Sequence, residues 1–256
     1  MKRFVAVGAV LLLTACATVI EEPKFRKPDP EAAARNRVAL AAEYLKTGDN
    51  EKAQLQLRRA LDSNPDSPEA HNLMGVLLER DGDIKGADRE YRKAIRLREG
   101  YAQAHNNYGS FLFRQQRYKD AIKQFSLATE DMGYSLRAQA YEGWARSAFR
   151  LGNDEAAMHA ATRALKLDSS LPIATLLLAE IHYNQKNYEA SHGLYKRYLQ
   201  FTSEVPQTAQ SLWLGIRLER RFGNKDALAS YELALKRLYP DSPEYKQYQE
   251  ALRAEK

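Results

Sequence analysis

The sequence predicts an all-α protein: a right-handed superhelix of six helix-turn-helix repeats with a C-terminal capping helix. One observation is the recurrence of small residues at positions 8 and 20 of a unit about 34 residues long, as Ala41/Ala53, Gly75/Ala87, Gly109/Ala121, Ala145/Ala157, Ala179/Ser191 and Gly215/Ala227. Successive position-20 residues are spaced by 34, 34, 36, 34 and 36. A second is the turn signals inside the units, such as Thr47-Gly48-Asp49-Asn50, Asp81-Gly82-Asp83 and Leu151-Gly152-Asn153. Breakers between units are the third: Asn64-Pro65, Leu171-Pro172 and Val205-Pro206. No stretch alternates in hydropathy long enough to argue for a strand.

Residues 1–15 read as a lipoprotein signal peptide. Lys2 and Arg3 form a basic start, Phe4 to Leu13 an apolar run of ten residues, and Ala15 the small residue before a cut. A run of ten is too short to span a bilayer, which takes about 20 apolar residues. Leu13-Thr14-Ala15-Cys16 resembles the bacterial lipobox, in which cleavage falls between Ala15 and Cys16 and the cysteine is acylated. Cys16 is the only cysteine of the 256 residues, so no intramolecular disulfide forms. The alternative is an ordinary secretory peptide with an incidental cysteine. Stable anchoring takes about two acyl chains, which a fully acylated Cys16 supplies. By the enterobacterial sorting rule, Ala17 in place of Asp directs such a lipoprotein to the outer membrane.

Residues 16–33 are read as the lipidated N-terminus and a tether, because Pro23, Pro28 and Pro30 bias the charged stretch EEPKFRKPDP toward extended chain. The repeats then run 34–67, 68–101, 102–135, 138–171, 172–205 and 208–241. Each is helix A, turn, helix B. Position 24 fills the gap beside the small residues with Leu57, Tyr91, Phe125, Ala161, Tyr195 and Tyr231. In the fourth unit, where that residue is only Ala161, Trp144 at position 7 offers compensating bulk. Residues 242–256 read as a capping helix, needed because the last repeat of a solenoid has no neighbour to cover it.

This pattern resembles the tetratricopeptide repeat. The resemblance implies that A helices line a concave groove, with positions 2, 5, 9 and 12 pointing into it. The candidate groove residues are Val38, Leu45, Asn72, Val76, Asn106, Phe113, Arg146, Phe149, Leu176, Tyr183, Leu212 and Ile216. The groove is expected to be apolar at both ends and polar in the middle around Phe113 and Phe149, a lining suited to a peptide or helix docked by its hydrophobic side. Burial between neighbouring A helices is the alternative for each of these residues. The Lys/Asn pair by which chaperone adaptors of this repeat family clamp a C-terminal carboxylate is absent at positions 5 and 9.

Nothing in the sequence points to chemistry beyond lipid attachment. There is no nucleophile elbow, phosphate loop or dinucleotide fingerprint, and no catalytic residue, cofactor or small-molecule substrate is expected. His71 and His105 recur at position 4 as packing residues. His159, His182 and His192 lack the paired helical spacing of a zinc site. Of the 39 basic side chains, removal of Lys2 and Arg3 leaves 37 against 33 acidic ones, a net of +4. That excess is mixed along the chain, unlike the basic stripe of a nucleic-acid binder.

Two further stretches exceed what helix packing requires. One is Asn106-Asn107-Tyr108-Gly109-Ser110-Phe111-Leu112 with Gln116-Arg117-Tyr118. The other is Ser211-Leu212-Trp213-Leu214-Gly215-Ile216-Arg217-Leu218 with Leu235-Lys236-Arg237-Leu238-Tyr239-Pro240. With the lipobox and six repeats, the chain from about Arg35 to Tyr248 resembles the PilF/PilW family of type IV pilus biogenesis lipoproteins, pilotins of the outer-membrane secretin. The resemblance implies an outer-membrane protein with its body in the periplasm, held in the bilayer by Cys16, that binds secretin subunits and promotes their multimerisation. Anchor and repeats also suit an adaptor for cell-wall enzymes or outer-membrane protein assembly. An enzyme with its site in the groove is the remaining alternative.

Overall fold

The computed structural model describes residues 29–202 and 207–254. Ala15, Cys16, the signal peptide, residues 16–28 and Val205-Pro206 lie outside the described residues. The described chain forms thirteen helices and no strand. They are α1 (Pro30–Thr47), α2 (Asn50–Ser63), α3 (Pro68–Arg80), α4 (Ile84–Leu97), α5 (Ala102–Arg114), α6 (Tyr118–Ala128), α7 (Arg137–Arg150), α8 (Asp154–Leu167), α9 (Pro172–Asn184), α10 (Tyr188–Phe201), α11 (Ala209–Phe222), α12 (Lys225–Leu238) and α13 (Pro243–Ala254). Odd-numbered helices from α1 to α11 are the A helices and even-numbered ones the B helices. None of the described helices is long and apolar enough to cross a membrane.

The first helix begins earlier than expected. Asp29 accepts a hydrogen bond from the Glu31 amide and Pro30 occupies the first turn, so residues 30–33, read as tether, are helical. Side-chain caps recur downstream: Asp49, Ser67, Asp83, Asn153, Thr208 and Asn224 each accept from an amide of the helix they precede. Each cap contributes about 1 kcal/mol.

The small residues act as the repeat pattern requires. Ala41, Ala53, Ala87, Ala121, Ala145, Ala157, Ala179 and Ser191 are fully buried. The hydroxyl of Ser191 is satisfied by donating 2.7 Å to the Ala179 carbonyl, position 20 to position 8 of the same unit. Position 24 then fills the gap. Tyr91 packs on Gly75, and Phe125 is wedged between Gly109 of its own repeat and Gly143 of the next. Trp144 bridges the aromatic cluster of repeats 2 to 4 and the alanine-rich cluster of repeats 4 and 5, stacked 6.0 Å from Tyr141. The core is therefore a series of overlapping clusters along the array, as expected where each repeat contacts only its neighbours.

Candidate protein-binding groove

Five successive odd-numbered helices, α5, α7, α9, α11 and α13, contribute side chains to one groove of about 460 Å³. That shared lining places the A helices on the inside of the curve. Phe113, Phe149, Ile173, Leu176, Leu177 and Trp213 give it an apolar floor, and Arg146, Arg150, Glu180, Glu244 and Gln247 its polar edges. Arg146 lies over the Phe113 ring at 4.5 Å, and Arg217 lies over both Tyr183 (4.5 Å) and Trp213 (5.2 Å) while pairing with Glu180. Glu142 accepts from the Ala174 amide at 3.0 Å, and burial raises its carboxyl above the usual carboxylate range.

Four of the candidates named from the repeat register meet here: Phe113, Arg146, Phe149 and Leu176. Tyr183 stands beside them under Arg217. Val76 lines a separate hollow with Glu79, Arg80, Ser110 and Arg114. Asn106 is half-buried. Val38 is half-buried against the first core cluster. The register misplaces four others. Leu45, Asn72, Leu212 and Ile216 are at most 5% exposed and do not present a surface. Leu45 belongs to the cluster of repeats 1 and 2. Asn72 accepts from the Asn107 amide group at 3.1 Å, bridging adjacent A helices. Leu212 and Ile216 are buried in a cluster with Tyr245 and Tyr248 of α13. The terminal helix thus covers these two residues of the last repeat, as a cap is expected to do, and also adds Glu244 and Gln247 to the groove wall, which its reading as a cap does not contain. Arg150 and Trp213 fall at positions 13 and 6, outside the register applied; aromatic and arginine spacing across repeats is the signal that finds them.

Three of the five histidines, His71, His105 and His192, hold the scaffold. His71 bridges Glu90 (2.5 Å) and the Pro65 carbonyl (2.9 Å); His105, one repeat on, bridges Gln124 (2.8 Å) and the Glu99 carbonyl (2.7 Å). His192 pairs with Glu219 at 3.1 Å and stacks on Phe222. No group of three potential metal ligands occurs among the described residues.

The chain matches the tetratricopeptide repeat family over residues 38–87, 80–135 and 142–207. Over 238 residues, 93% of each chain, it is 34% identical to the type IV pilus assembly protein PilF of Pseudomonas aeruginosa. The chain belongs to the PilF family of tetratricopeptide repeat proteins. The solved structure of Pseudomonas aeruginosa PilF superposes with a TM-score of 0.80 at 34% identity, over 89% of this chain and 99% of that one. PilW, a widely conserved type IV pilus biogenesis factor, superposes at 0.70 with 24% identity, over 84% and 98%. A likeness of fold extends to YrrB, a repeat protein with an unusual peptide-binding site, at 0.58 and 15% identity, over 76% and 97%. In this PilF-family chain the concave groove is therefore borne by a scaffold shared along nearly the whole length of the Pseudomonas protein.

Proposed function

We propose that this PilF-family chain is an outer-membrane lipoprotein of type IV pilus biogenesis, a non-catalytic scaffold that binds secretin subunits and promotes their localisation and multimerisation. The observation that carries the reading is the 34% identity to PilF across 93% of both chains. The lipobox ending in Cys16 supports the anchored part, and the groove across five helices supports the binding part. The mechanism is physical: an acylated Cys16 fixes the body to the bilayer and raises the local concentration of whatever the groove holds.

Replacing Cys16→Ala in the native strain tests the reading. The body is expected to fold and to appear in the soluble periplasmic fraction, with secretin multimers reduced or displaced from the outer membrane. Multimers unchanged in amount and place would exclude the proposed role.

A further inference from the structure

The groove edge carries a duplicated device. In repeat 3, Phe113 and Tyr118 flank the turn between helices A and B with ring centres 5.4 Å apart; in repeat 5, Tyr183 and Tyr188 do the same at 5.1 Å. Both turns place a non-glycine residue, Gln116 or Lys186, at positive φ. The following A helix lays two arginines four residues apart over each ring pair. Arg146 and Arg150 lie over Phe113 and Tyr118 at 4.5 and 5.6 Å, and Arg217 and Arg221 over Tyr183 and Tyr188 at 4.5 and 3.9 Å. A guanidinium laid on a ring keeps its N–H fork in a fixed plane, ready for a carboxylate.

The two copies differ in how their first arginine is paired. Glu180, at position 9 of repeat 5, neutralises Arg217. Position 9 of repeat 3 is Ser110, and neither Arg146 nor Arg150 has a carboxylate within ion-pair distance among the described residues. Glu142, one turn before Arg146, exerts only a longer-range pull, its carboxylate being committed to the Ala174 amide. Both unmatched arginines line the groove beside its apolar floor.

We propose that this groove receives a polypeptide segment presenting a side-chain carboxylate next to an apolar side chain. The carboxylate takes at Arg146 and Arg150 the place that Glu180 takes at Arg217. The apolar neighbour enters among Phe149, Leu176 and Trp213. The acidic Glu244 on the far wall orients the segment with its acidic end toward repeat 4. A polypeptide fits this concave floor, whereas a flat bilayer surface does not reach it. The inference rests on the reading that the concave face binds a protein partner, and it holds whichever pilus component that partner is.

The test uses the full chain in mild detergent and three labelled peptides sharing a Leu-Phe centre, flanked by glutamates, glutamines or lysines. Fluorescence anisotropy is expected to show the glutamate peptide binding about tenfold tighter than the glutamine one, the increment of one good charge-assisted bond. Arg146→Gln with Arg150→Gln should erase that difference. Ser110→Glu, which builds the internal carboxylate of the second copy into the first, should erase it with both arginines intact. Arg150→Glu should move the preference toward the lysine peptide, a gain that an unfolded variant does not give. Equal binding of glutamate and glutamine peptides, binding of none of them, or full binding by Ser110→Glu would overturn the inference. So would binding to vesicles of anionic phospholipid that competes with the peptide and is lost in the same variants. Secretin co-purification separates this result from the proposed function. Undiminished recovery with the double arginine variant refutes the groove chemistry alone, and no recovery with the unaltered protein, beside intact peptide selectivity, refutes the secretin reading alone.

Discussion

Phe125 shows how tightly single residues are held. Its ring, 3% exposed, fills the space between α5 and α7 because both helices present glycine to it. Burying such a ring contributes about 1.5–3 kcal/mol. A methyl group on Gly143 would sit 2.4 Å from the ring tip, and Gly109 blocks retreat on the other side. Gly143→Ala is therefore expected to lower stability by about 1–2 kcal/mol, overpacking outweighing the better helix propensity of alanine; a urea titration reads this directly. Buried phenols set the alkaline limit. Burial, then the hydrogen bond to Asp88, pushes Tyr108 up to about 12, and burial pushes Tyr134 to about 12. An unfolded phenol titrates near pH 10, so the stability these residues contribute is complete below about pH 10 and lost as pH rises through 12. Burial and Glu79 hold Tyr91 higher still. Phenolate absorbance followed against pH should thus appear in part only together with loss of helical circular dichroism, and a smooth titration of all tyrosines in the folded protein would contradict this account.

At the scale of the element, the turns inside the repeats divide in two classes. Four place glycine in the left-handed region, at Gly48, Gly82, Gly152 and Gly223, while repeats 3 and 5 place Gln116 (φ 58°) and Lys186 (φ 63°) there. A side chain at such a φ costs about 1–2 kcal/mol, and glycine costs about 0.5–1 kcal/mol in unfolded-state entropy. Gly152→Ala should accordingly destabilise by about 1 kcal/mol, whereas Lys186→Gly should leave stability equal or raise it by up to about 1 kcal/mol. Thermal denaturation of the pair decides whether the strain is real. Helix α10 carries the opposite case. Gly193 is exposed within the helix with nothing within 4 Å of an added Cβ. Gly193→Ala is expected to stabilise by about 0.5–1 kcal/mol, with no change in partner binding.

Across the whole molecule, stability is a sum of repeats and their interfaces, so the ends matter most. Helix α13 has no fully buried residue, yet Tyr245 and Tyr248 pack on the cluster of Leu212, Ile216 and Leu235, and Tyr248 meets Trp213 edge-on at 6.3 Å. Truncation after residue 241 should uncover Trp213 and open the end of the groove. The expected result is a red-shifted tryptophan emission and a lower Tm, with Trp144 unaffected in the middle of the array. An unchanged emission spectrum would mean that α13 neither covers the last repeat nor shapes the groove.

The amino-acid order by itself determined the repeat period and the helix pairs, because small residues at fixed positions and turn residues between them act locally or between adjacent helices. It also determined that position 8 meets positions 20 and 24, since no other spacing lets two backbones approach. Which A-helix side chains face solvent was decided by the tertiary structure. The repeat register assigns Leu45, Asn72, Leu212 and Ile216 to the groove, yet neighbouring helices bury them. The groove itself joins Phe113, Arg146, Leu176, Trp213 and Glu244 from five separate helices. No local rule brings those residues together. Their meeting depends on the curvature that accumulates from one repeat to the next, and so does the contrast between Arg217, matched by Glu180, and Arg146, which faces the groove without a carboxylate of its own.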